Sequence, residues 1–226
     1  MSEQIEISDE LQEKEPSSIK LVLALAIAGL LSGFVLVGSY IYTLPIIQEN
    51  KATMLKEAIF KVLESCDTYK TLVVNNDKLV FLSENDEDNK SEKIYLGYNK
   101  DKQPIGFAIP GAEPGFQDII GVIYGYNSVS SSIIGFEVLE SKETPGLGDK
   151  IFKDAAFQEN FVKLQVMPNI ITVKNGTKMK ENEVEAITGA TISSKAVVRL
   201  LNKSISIWKD KIDVFINENN IELSNE

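Results

Sequence analysis

Apolar and polar positions divide the chain into regions of different periodicity. Residues 21–48 contain no charged side chain, and their most apolar part, 21–44, is long enough to cross the hydrocarbon core of a bilayer as a helix. A cleaved signal peptide has a shorter apolar core and a basic start. Here residues 1–20 are polar and acidic, and the run ends in Tyr40-Ile41-Tyr42-Thr43-Leu44-Pro45, so an uncleaved anchor is expected. Ala52, Leu55, Ile59, Val62 and Cys66 then step by three and four, which predicts an amphipathic helix leading into a domain.

Past that helix the pattern shortens to strand-like runs. Residues 71–74 and 78–82, joined at Asn75-Asn76-Asp77, read as a hairpin. Further strands are expected at 93–98, 105–109, 119–126 and 133–139, punctuated by Gly, Pro, Asn and Ser. A short helix at 152–162, an apolar stretch at 164–166 and a strand at 170–174 follow, with a turn at Asn175-Gly176. Finally Val197, Leu201, Ile205, Trp208, Ile212 and Phe215 mark one face of a long helix beginning near Ser193. Strands in succession with helices at the ends predict an α+β fold built on an antiparallel sheet, not a βαβ unit. The expected layout is a polar tail at 1–20, a membrane helix at 21–44, a connector and amphipathic helix at 45–69, the main domain at 70–219 and a polar tail at 220–226.

Composition narrows the chemistry. The chain has no His and one Cys, so the zinc, haem and iron–sulfur sites built from those residues are excluded, and electron transfer would need an organic cofactor. Cys66 is expected as a small apolar residue on a helix face. A net charge of −10 argues against nucleic acid, whose binding depends on neutralising phosphates. The acidic segment 84–92 reads as a solvated loop. Lys14 and Lys20 before the apolar run face Lys51, Lys56 and Lys61 after it, so charge does not set an orientation. Gly29 and Gly33 have a spacing that lets another helix approach closely.

Candidate chemistry gathers where small and hydroxylated residues precede the last helix, in Glu185-Ala186-Ile187-Thr188-Gly189-Ala190-Thr191-Ile192-Ser193-Ser194-Lys195. Thr188, Thr191, Ser193 and Ser194 either cap the helix or, with its unpaired first-turn amides, hold a phosphate; Gly189 and Ala190 leave room for one. Gly146-Leu147-Gly148 follows Pro145 and lacks the third glycine of a dinucleotide fingerprint, so it reads as a tight turn.

Thr188-Gly189-Ala190-Thr191, with Glu185 ahead of it, resembles the motif at which FMN-binding subunits of Rnf-type and Na+-translocating NADH:quinone reductase complexes carry their flavin. The segment Ser141-Lys142-Glu143-Thr144-Pro145-Gly146-Leu147-Gly148-Asp149-Lys150 resembles the family's Glu-Thr-Pro-Gly-Leu-Gly loop. The similarity extends over 111–202, through Gly115-Phe116-Gln117-Asp118 and 121–126, and most resembles the Rnf G subunit. The family usually has Asp at the position of Glu185, and often His at that of Ser141.

The resemblance implies a membrane-anchored FMN-binding domain with the flavin phosphate esterified to Thr191. It places Thr188, Gly189 and Ala190 around the phosphate and Glu143, Thr144 and Leu147 near the ring. It further implies attachment by a separate flavin transferase, using FAD and Mg2+ and recognising Glu185, and other membrane subunits as partners in a complex that couples ferredoxin or NADH oxidation to ion transport. The large domain would lie outside the cytoplasm, and the chain would have no catalytic residue of its own. Membership as the FMN-bearing C subunit of the quinone reductase, and a membrane-tethered binding or scaffold module without redox chemistry, are the alternatives.

Overall fold

The computed structural model describes residues 17–82 and 92–224; most of the expected polar tail, almost all of the acidic loop and the last two residues lie outside them. The chain divides into two compact units, 1–51 and 52–226. Helix α1 (Ser18–Val62) runs without interruption where a membrane helix and a separate amphipathic helix were expected. Pro45 lies inside it. A proline removes one amide hydrogen bond, and the helix continues past it although Ile41, Thr43, Ile46 and Ile47 around it are β-branched. Among the described residues α1 is the one helix long and apolar enough to cross a membrane.

The second unit is built on a seven-stranded sheet, formed by β1 (Thr68–Asn75), β2 (Lys78–Phe81), β3 (Lys93–Tyr98), β4 (Pro104–Pro114), β5 (Ile119–Asn127), β6 (Ser132–Glu140) and, beyond helices α2 (Lys150–Lys153) and α3 (Ala155–Glu159), β7 (Leu164–Gln165). Strand order is β2-β1-β3-β4-β5-β6-β7, and every pairing is antiparallel. The β1–β2 hairpin closes through Asn76 and Asp77, both at positive φ, a conformation Asn and Asp tolerate and a two-residue turn requires. Asp154 caps α3 by accepting from the amides of Ala156 and Phe157, which splits the single helix expected at 152–162 into two.

Strands β8 (Ile171–Lys174) and β9 (Glu183–Ala186) pair in parallel as a small separate sheet. Helix α4 (Thr191–Asn219) follows, and ends at Asn220 in the left-handed region. It lies over β2 and β4. Val197, Leu201, Ile205, Trp208, Ile212 and Phe215 are all buried against the sheet, each contributing about 1.5–3 kcal/mol by leaving water. Within residues 221–224, Leu223 is buried and the Ser224 amide donates to the Pro104 carbonyl.

Four consecutive positions of β3, Ile94 to Gly97, are buried, so both faces of the sheet are covered there. The second face carries the end of α1, with Ala58, Ile59, Val62 and Leu63 packed on Tyr95, Ile105, Ala108 and Ile123. Glycines line this seat on adjacent strands. Gly97 pairs with Gly106, and Gly125 with Gly135. A Cβ on Gly125 or Gly135 would run into the Val62 carbonyl, and one on Gly97 would lie 2.5 Å from Leu63 Cδ1. The helix end therefore rests directly on sheet backbone. Cys66 is not on the helix face where it was expected. The helix stops at Val62, Ser65 adopts a positive φ, and the half-buried Cys66 thiol donates to the Thr68 carbonyl.

Candidate functional site

Three connections meet at one end of the sheet. The first is 115–118, between β4 and β5, where the Gly115 amide donates to the Asp118 carbonyl at 2.9 Å and closes a tight turn. That turn aims successive backbone amides inward, the arrangement that holds an anion. The anion is Glu143, from the second connection, 141–149. Glu143 is 5 % exposed, and its Oε1 accepts from the amides of Phe116 at 2.9 Å, Gln117 at 3.0 Å and Asp118 at 3.5 Å. Residues on either side of Glu143 reinforce the join: Thr144 Oγ1 donates to Gln117 Oε1 at 2.8 Å, and Lys142 pairs with Asp118 at 3.3 Å.

Glycine is required at both edges of this carboxylate. A Cβ on Gly115 would collide with Glu143 Oε1, and one on Gly148 would lie 2.5 Å from its Oε2 and 2.9 Å from Ser193 Oγ. Gly146, at a φ of +79°, turns the chain between them.

The third connection, 187–190, leads into α4. Gly189 has a φ of +87°, and the Ala190 amide donates to the Ile187 carbonyl at 3.0 Å. Ser194 Oγ fastens the turn by accepting from the Ile187 amide at 3.1 Å and donating to the Ala190 carbonyl at 2.9 Å. Ser193 Oγ donates to Glu143 Oε2 at 2.6 Å. The helix thus begins at Thr191, two positions before the expected start, because its serines bond inward while Ala190 holds the cap position without a side-chain bond. Neither Thr188 nor Thr191 caps it.

The three connections enclose a cleft of about 270 Å³ lined by Phe116, Glu143, Thr144, Leu147, Gly148, Gly189, Ala190, Thr191, Ile192 and Ser193. The structure brings Thr191, Ala190, Gly189, Glu143, Thr144 and Leu147 to this one place. Phe116, Leu147 and Ile192 are 67 %, 50 % and 52 % exposed, so an apolar rim faces solvent. Thr188 sits exposed on the turn outside the lining. Glu185 is also outside it. Its Oε1 accepts from the Lys178 amide at 2.9 Å, and the amides of Lys178, Gly176 and Thr177 hold its carboxyl below the usual range.

Sequence reasoning did not find the Ser193–Glu143 bond or the part played by Phe116, Gly148 and Ile192. Ser193 and Glu143 are 50 positions apart, and no local pattern marks a pair at that distance. Arg199, in the third turn of α4, donates to the Pro114 carbonyl at 3.0 Å and is not part of the lining.

Burial pushes the Glu143 carboxyl up, but the Ser193 hydroxyl and the amides of Gln117, Asp118 and Phe116 outweigh it and hold the group below the ordinary glutamate value. A depressed value in the folded state means that the stabilisation is complete above the unfolded-state value and is lost as pH falls through the folded one. Wild type is therefore expected to lose stability on acidification from roughly pH 5 to pH 3 more steeply than Glu143→Gln. Urea midpoints of the two proteins across that range measure the difference, and parallel curves would remove Glu143 from the account.

Residues 115–206 match the family model described as FMN-binding domain. The chain is 29 % identical over 187 residues to the G subunit of the ion-translocating oxidoreductase complex of Methanosarcina acetivorans, covering 82 % of this chain and 92 % of that protein. It is 30 % identical over 167 residues to the protein of the same name from Aliivibrio fischeri, covering 72 % of this chain and 74 % of that one. Among solved structures, NqrC of Shewanella oneidensis superposes with a TM-score of 0.60 at 16 % identity, over 76 % of this chain and 99 % of that one, a likeness of fold. By sequence and architecture together, the chain belongs to the family of G subunits of ion-translocating oxidoreductase complexes, with its FMN-binding domain at 115–206.

Proposed function

We propose that this chain is the flavin-carrying subunit of an Rnf-type ion-translocating oxidoreductase complex, and that its FMN is held as a phosphoester on Thr191. The observation that carries the reading is the position of Thr191: an exposed residue, the first of α4, at the edge of a cleft that residues of both motifs line. The residues suit the group. Gly189, Ala190 and the first-turn amides of α4, which helix geometry leaves without intrahelical partners, would surround the phosphate. Phe116, Thr144, Leu147 and Ile192 offer apolar and hydroxyl surface to a ring, with Glu143 in the floor. The cleft is small for a ligand pocket, which suits a flavin left partly at the surface.

Bound FMN supplies reversible electron storage, and the chain's own residues bind and orient it. A chain of net charge −10 is a poor electrostatic trap for a phosphate, so local dipoles and a covalent bond replace a basic cluster. The ester also prevents loss of cofactor on the outer side of the membrane, where we place the domain, with α1 as the anchor. Other membrane subunits are the electron-transfer partners. A separate flavin transferase makes the attachment, and Thr191 is its acceptor. The relatives that align along most of this chain are named as G subunits, which favours the Rnf complex over the quinone reductase.

Intact mass and in-gel fluorescence of the denatured protein, coexpressed with a flavin transferase, test the reading. A mass higher by one FMN less one water, mapped to the peptide containing Thr191, is expected. An unmodified mass under those conditions would point instead to the tethered scaffold.

A further inference from the structure

We propose that Ser193 is a positioning residue of the flavin site, one that acts through Glu143 to set the first turn of α4 against the loops facing it. The inference rests on the reading of the Thr191 cleft as the place of FMN. Ser193 is 2 % exposed, and its hydroxyl meets a carboxylate that is itself buried, so the bond between them is charge-assisted and shielded from water. The same carboxylate gathers the amides of Phe116, Gln117 and Asp118. One bond thus joins three separate connections: 115–118, 141–149 and the start of α4.

Helix geometry turns that bond into a rotational setting. Side chains advance by about 100° per residue, so Ser193 points roughly opposite to Thr191 on the first turn. Holding Ser193 inward on Glu143 keeps Thr191 outward, at the mouth of the cleft. Ser194 supports the turn from below but bonds only within 187–194, so the link to the facing loops belongs to Ser193. Gly148 leaves no slack, since a Cβ there would press on both partners.

The test uses the full chain coexpressed with a flavin transferase, comparing wild type, Ser193→Ala and, as a control on the outer face of α4, Ser206→Ala. Hydrogen exchange at the Phe116, Gln117 and Asp118 amides is expected to speed up about tenfold or more in Ser193→Ala, the scale of one lost hydrogen bond to a buried charge. The flavin remains on Thr191 by mass, with its visible spectrum shifted as the facing wall loosens. Ser206→Ala changes neither readout. Unchanged exchange at those amides would overturn the proposal, and so would faster exchange with an unaltered spectrum, which would make the bond a fold contact only. If Ser193→Ala does not fold, Ser193→Cys, close in shape but a poor donor, is read in the same way. A wild-type chain without flavin refutes the cofactor reading by mass alone, whereas the exchange and spectral comparison between variants bears on Ser193.

Discussion

Thr191→Val is expected to abolish protein-linked flavin while leaving the domain folded. The substitution removes one hydroxyl and keeps the β-branched shape, at an exposed position with no hydrogen-bond partner among the described residues. Such a surface change moves stability by only about 0.5 kcal/mol or less. The attachment, by contrast, has no uncommitted substitute oxygen among the described residues of the cleft: Thr144, which also lines it, donates its hydroxyl to Gln117 Oε1. Ser193 and Ser194 are buried and committed to Glu143 and to the 187–190 turn, and Thr188 lies outside the cleft. Coexpression with a flavin transferase, followed by denaturing electrophoresis and intact mass, should show an unmodified, non-fluorescent protein whose urea midpoint matches wild type. A yellow variant that keeps its flavin through denaturation would move the ester elsewhere and undo the assignment of Thr191.

Gly135→Ala has the largest effect expected on folding. The added methyl would lie 2.7 Å from Val62 Cα and closer still to its carbonyl oxygen, and these are backbone atoms that no rotamer change can clear. Overpacking of a core costs about 1–3 kcal/mol even where side chains can adjust, so a loss near 3 kcal/mol is expected. Gly121→Ala is the matched control, since its nearest neighbours would stand at 3.6 Å, an ordinary contact. Urea denaturation of the detergent-solubilised chain, followed by the fluorescence of the buried Trp208, compares the two. Equal midpoints would mean that the end of α1 does not bear on the sheet.

The long helix and the antiparallel strands were legible because each repeats one period over many residues. The six positions read as the buried face of α4 are all buried, and the Asn-rich hairpin closes where its turn chemistry points. Elements that depend on tertiary context were not legible. β4 continues to Pro114 through Pro110, Gly111 and Ala112, residues that argue against a strand. Among the described residues its pairing with β3 stops at Ala108, and beyond that point β4 pairs with β5 alone, so a missing amide costs little. β9 was missed because four residues pairing in parallel with β8 leave almost no periodic signal.

The candidate site divides in the same way. Its two motifs stand out as unusual local sequence, and the fold sets them side by side. What holds them there, the Glu143 carboxylate between Ser193 and three amides, spans three connections far apart in the chain, and no window of sequence contains it. Glu185 shows the reverse: conspicuous in sequence, it is occupied in the structure by the 176–178 turn.

The exposed rim of Phe116, Leu147 and Ile192 separates two kinds of selection. None of the three belongs to the hydrophobic core, so exchanging them costs little folding free energy, while Glu143, Gly115 and Gly148 beneath them tolerate almost no change. Descendants of this chain can therefore retune how the cleft grips and shields its occupant by drifting at three surface positions. Adapting the cleft's surroundings need not disturb the scaffold beneath it.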